Sequence, residues 1–124
     1  MDDYNIFHND ILNFNKTTKL LLRFKKKYKK INYLVINSSI IDNKKNLFSI
    51  KNSRNVFELN FFANLNFTLS SLKIFQNSLN KIIHISSNTT LYGSASLPSY
   101  SSAKAAFDNF FQSLNKKYKK KNYL

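Results

Sequence analysis

Two short apolar runs, Ile31 to Ile36 and Lys81 to Ser86 (with Ile82, Ile83 and Ile85), are separated by a long segment of helical periodicity. The first is nearly continuous, as expected for a parallel strand buried on both faces. Two strands joined through a helix lie parallel in one sheet, and such crossovers are right-handed. Helical patterns also flank the pair. Residues 15–29, with Leu20, Leu21, Leu22, Phe24 and Tyr28, predict a helix with Asn13 or Asn15 near its N-cap. Its Lys-rich end complements the negative pole of the helix dipole. Residues 52–79, with Val56, Leu59, Ala63, Phe67 and Leu72, predict the crossover helix after a polar loop over 40–51. Residues 100–118, with Ala103, Phe107, Phe110, Phe111 and Leu114, predict a third. Helix–strand–helix–strand–helix implies an α/β fold, part of a doubly wound parallel sheet, over residues 10–124. Residues 1–9 carry no clear pattern.

The stretch from Ser87 to Lys104 carries the chemistry. Ser87 directly follows the second strand, and Tyr100-Ser101-Ser102-Ala103-Lys104 opens the third helix. Tyr100 and Lys104 are at i and i+4, on one helix face. A phenol, with a pKa of about 10, is a poor acid or base at neutral pH. An ammonium about 4 Å away favours the phenolate by up to ~4 kcal/mol at an effective dielectric of ~20. That brings a phenol near working pH. Ser87 can hold a substrate oxygen beside it as a hydroxyl donor. The pairing therefore suits proton transfer to a carbonyl or from an alcohol.

Tyr-x-x-x-Lys alone is a weak signal in a chain this rich in Tyr and Lys. Its context is more specific: Ser87 lies thirteen residues before Tyr100, and Asn60 twenty-seven before Ser87. In order and spacing, Asn60, Ser87, Tyr100 and Lys104 resemble the catalytic residues of the short-chain dehydrogenase/reductase family. The run SYSSAKAAFDNFFQSL is similar to its active-site helix. The resemblance spans nearly the whole chain and corresponds to the middle of the family's Rossmann-like domain. It implies an NAD- or NADP-dependent oxidoreductase that interconverts a carbonyl and an alcohol by hydride transfer. By that resemblance Tyr100 handles the proton, and Lys104 stabilises the phenolate and bonds the nicotinamide ribose. Ser87 orients the substrate oxygen, and Asn60 supports a proton-relay water at a break in its helix. Asp10 matches an acidic residue that approaches the adenine. Asn37 is the one residue kept of the family's Asn-Asn-Ala-Gly, and Ser39 stands in place of its Gly. The helices over 52–79 and 100–118 correspond to the pair through which the family forms homo-oligomers.

The chain has one glycine, Gly93, so it lacks the Gly-rich turn on which a dinucleotide pyrophosphate rests. The expectation is a fragment, inactive alone, without the family's first two βα units. Lys25 to Leu34 is echoed by Lys116 to Leu124, a second helix-to-strand junction at which the sequence stops. Two other readings stay open: a non-enzymatic remnant, and a basic binding module. The net charge of +14 raises the latter. Yet Lys, Asn, Ile, Phe and Tyr, all with A/T-rich codons, dominate throughout, so nucleotide composition explains much of the basicity and a nucleic-acid partner is disfavoured. There is no Cys, hence no disulfide or thiolate metal site. His84 alternates with Ile83 and Ile85 and reads as a packed strand residue, not a base or metal ligand. No apolar run approaches a membrane span, and the expected setting is cytoplasmic.

Overall fold

A computed structural model describes residues 5–118. Helix α1 (Phe14–Tyr28) leads to strand β1 (Tyr33–Ile36). A loop then reaches α2 (Ile50–Phe57), which runs through a π-helical segment (Glu58–Ala63) into α3 (Asn64–Phe75). Strand β2 (Lys81–His84), a single turn α4 (Thr89–Tyr92) and α5 (Pro98–Tyr118) complete it. The second Lys cluster is described only through Lys117, and the expected C-terminal strand lies outside the described residues.

Local chemistry sets the boundaries. Asn13 caps α1 through its side-chain oxygen, which accepts from Lys16 N–H at 3.0 Å. Ser49 caps α2, and the helix starts two residues earlier than its apolar periodicity suggests. Pro98, with no N–H to lose, occupies the first position of α5. Gly93 ends α4 at φ 73°, a conformation that other L-residues adopt only with strain. The turn α4 has no apolar periodicity and was not predicted.

The strands are parallel, with Leu34 beside Ile82 and Ile36 beside His84. Leu34, Ile36 and Ile82 join Leu21 of α1, Leu72 and Phe75 of α3, and Phe107 and Leu114 of α5 in one core. Helix α1 packs on α3, while α2 and the π segment pack on α5. All this covers one sheet face. The alternate residues Tyr33, Val35 and Ile83 are exposed. This corrects the expectation that the first strand is buried on both faces: an apolar run tells what a strand can bury, not what covers it.

Candidate active site

Ser87, Tyr100 and Lys104 lie where β2 gives way to α5. Lys104 is 2% exposed, and its Nζ donates to the Ile85 carbonyl at 2.6 Å, two residues before Ser87. The same Nζ stands 6.0 Å from the Tyr100 ring centroid. Burial lowers the Lys104 pKa, and the Asp108 carboxylate pulls it back up. Ser87 is half-buried. Its Oγ lies 2.9 Å from the Thr89 hydroxyl and accepts the Thr89 N–H at 3.3 Å. If Thr89 is the hydroxyl donor, the Ser87 proton stays free for a substrate oxygen.

Asn60 is fully buried in the π-helical segment. Its carboxamide accepts from Ile40 N–H and donates to Ile40 C=O, both at 2.8 Å. The side chain therefore holds the loop after β1. Its own carbonyl accepts from Asn64 Nδ2 at 3.2 Å and keeps a second lone pair. A π-bulge inside a helix commonly marks a functional position, and here it coincides with the predicted break.

The two expected cofactor contacts outside this cluster are less developed. Asn37 is exposed at the carboxyl end of β1. Asp10 is exposed, and its carboxylate accepts from Leu12 N–H at 3.0 Å, a local turn before α1.

Three further residues support the site. Asp42 is buried in the loop after β1 and accepts from Tyr100 N–H at 2.7 Å, Ser99 N–H at 3.2 Å and Asn52 Nδ2 at 2.6 Å. It thus caps the helix that carries Tyr100 and Lys104. Asn64 donates to Ser38 C=O and accepts from the Ser38 hydroxyl. Asp108 lies one turn beyond Lys104 on α5. Asp42, the Asn64 bonds to Ser38 and the Asp108 bonds to His84 and Ser86 carry no sequence signal, because those partners are distant in the chain.

The sequence matches the model of the short chain dehydrogenase family over residues 2–123. The chain belongs to that family. Among solved structures, it is similar to a ligand-free aldohexose dehydrogenase from Thermoplasma acidophilum, with 21% identity and a TM-score of 0.84. That match covers 95% of this chain and 47% of the other. It is also similar to a 3-oxoacyl-[acyl-carrier protein] reductase from Brucella melitensis, with 18% identity, a TM-score of 0.79, and 90% and 49% coverage. A short-chain dehydrogenase from Streptomyces avermitilis gives 20% identity, a TM-score of 0.78, and 90% and 42% coverage. The chain spans about half the length of the short-chain dehydrogenase structures it matches. A comparison with curated proteins found no match. The chain shares the Rossmann-like α/β fold of these structures. Among the described residues, no helix is long and apolar enough to cross a membrane.

Proposed function

We propose that this chain is the catalytic-core segment of an NAD(P)-dependent short-chain dehydrogenase/reductase acting on a small-molecule carbonyl or alcohol. The observation that carries the reading is the buried Lys104 ammonium, tied to the end of β2 beside Ser87 and one helical turn from Tyr100. An ammonium has three protons, and Ile85 takes one. The other two serve the Tyr100 phenolate and a ribose hydroxyl. The residues here fit the nicotinamide end of the cofactor, which Lys104 and Tyr100 would hold, with Asn37 just after β1. They do not fit its pyrophosphate, since the only glycine is Gly93 in the turn before α5.

A bound nicotinamide supplies or accepts the hydride. Tyr100 gives or takes the proton at the substrate oxygen. Ser87 holds that oxygen by donating its hydroxyl proton. Lys104 stabilises the phenolate, and the Asn60 carbonyl anchors a water that returns protons toward Lys104. Asp10 faces the adenine. The 124-residue chain alone is expected to have no dehydrogenase activity, because its sequence holds a single glycine and so no Gly-rich turn to cradle the pyrophosphate.

The test joins this segment to a nucleotide-binding half with a Gly-rich turn. Tyr100→Phe should then lower kcat by about 10²- to 10⁴-fold and leave NAD(P) binding largely intact, since the proton acts only in the transition state. Near-wild-type turnover by the Phe variant would remove Tyr100 from the mechanism.

A further inference from the structure

We propose that Asp108 is a positioning residue of this site: it ties the end of β2 to α5 and serves as the counter-charge of Lys104. The proposal rests on the carbonyl–alcohol chemistry assigned to Ser87, Tyr100 and Lys104. Three consecutive residues before Ser87 are each bonded to α5. His84 Nε2 lies 2.8 Å from Asp108 Oδ1, Ile85 C=O accepts from Lys104 Nζ at 2.6 Å, and the Ser86 hydroxyl donates to Asp108 Oδ2 at 2.5 Å. Positions 104 and 108 share one face of the helix. The strand end can neither slide nor turn against that face without breaking a bond. Ser87 is the next residue, so its place relative to Tyr100 follows from this clamp.

Packing alone accounts for part of the contact. The His84 ring meets Phe107 edge-on at 4.6 Å and Phe111 at 5.7 Å. Packing does not account for the charges. A buried ammonium without a counter-charge tends to lose its proton, and a neutral amine cannot stabilise a phenolate. Asp108 is the charged group whose field favours the Lys104 ammonium.

His84 decides whether that field is available. Its Nε2 faces the Asp108 carboxylate and so carries the ring proton. Its Nδ1 is buried and has no hydrogen-bond partner. The Ile36 carbonyl across the sheet, which also accepts the Ile85 N–H at 3.0 Å, is the weakest of the influences that favour the protonated ring. An imidazolium would bury a second N–H without a good acceptor. Burial, with the Lys104 charge, holds the His84 pKa below its ordinary value despite Asp108. The ring therefore stays neutral at neutral pH, and the Asp108 charge remains uncancelled for Lys104. Among the described residues, the charges that bear on His84 are Asp108 and Lys104, and the one that bears on Lys104 is Asp108.

The experiment has two arms. In the 124-residue chain, the Lys104 side chain and the His84 ring are titrated by NMR in wild type and Asp108→Asn. The variant should titrate Lys104 at lower pH, and Asp108→Glu should move it back. Asp108→Ser, which also removes the charge, replaces the Asn variant should that not fold. An unmoved Lys104 titration overturns the counter-charge. In the second arm, the segment joined to a nucleotide-binding half is assayed for turnover. Ser86→Ala keeps the charge and cuts one tether. It should lower kcat by about 10- to 100-fold, the cost of a misplaced reacting group, with the Lys104 titration unchanged. An unchanged kcat overturns the clamp. If the wild-type joined protein reduces no carbonyl, the family chemistry fails for this chain, and the titration still decides the counter-charge.

Discussion

Asp42 is 3% exposed, and its bonds come from N–H groups at the start of α5 and from Asn52. Burial alone would raise its pKa. The Tyr100 N–H, Ser99 and Asn52 outweigh burial and hold the carboxyl below its ordinary value. The N-terminal pole of α5 favours the same charged form. A depressed carboxyl pKa stabilises the fold above the unfolded value of about 3.9, and that contribution is lost as pH falls through the folded value. Asp42→Ala should cost about 1–3 kcal/mol at pH 7, since it strips a helix cap and leaves buried donors unmatched. In Asp42→Asn the acid-dependent part of unfolding should shrink. Urea unfolding at pH 7 and at pH 3 to 4 measures both, and equal losses at the two pH values would exclude the carboxylate's charge as the cause. Nothing in the sequence pointed to Asp42, because a lone Asp in a polar loop looks solvated. Tyr100 and Lys104 were legible because a helix puts i and i+4 together whatever lies elsewhere. Of His84, packing was legible, while its bond to Asp108 was not.

The helices and strands were legible for a physical reason: each buries one side, and the period of the apolar residues reports it. The crossover helix was expected over 52–79 and is observed over 50–75, interrupted by the π segment at Asn60. Its C-terminal residues bend away because Ser78 and Leu79 N–H both bond back to the Phe75 carbonyl. Apolar periodicity cannot detect one extra residue in a turn. Asn60 and Asn64 show what the extra residue achieves. One presents its carboxamide to Ile40 and the other to Ser38, so two amides hold the loop after β1 in register. In a chain full of Asn, composition hides such a pair. Asn60→Leu should leave both Ile40 backbone groups unmatched. The expected loss is about 1–3 kcal/mol, since Ile40 is partly reached by water. Asn64→Leu should cost a similar amount. Because the two amides hold one loop, the double variant should cost less than the sum of the singles. Strict additivity in urea denaturation would show two independent anchors instead.

Two apolar surfaces among the described residues predict different modes of association. On α2 to α3 the outward apolar residues are Ile50, 70% exposed at the helix start, and Phe62 and Leu69, each just under half exposed. This is one member of the helix pair, the other being α5, that resembles the family's oligomer contact. On the open sheet face, register sets Val35 beside Ile83, flanked by Tyr33 on one strand and Ile85 beyond the other. Tyr33 is 63% and Val35 55% exposed. The outer edges of the two strands also carry backbone groups with no strand beside them among the described residues. Such an edge next to an apolar face is a template for pairing with another chain. Fully burying a Val or Ile side chain is worth about 1.5–3 kcal/mol, and association costs at least about 4 kcal/mol in lost freedom. Four side chains, each already partly covered, give a modest surplus. Association of the 124-residue chain is therefore expected at high protein concentration, chiefly through the sheet face. Val35→Lys should shift the light-scattering mass toward the monomer, because a charge placed on that face repels its copy across the contact. Phe62→Lys should change it little. If Phe62→Lys dissolves the assembly while Val35→Lys leaves it intact, the helix pair is the contact in the isolated chain and the sheet face is not.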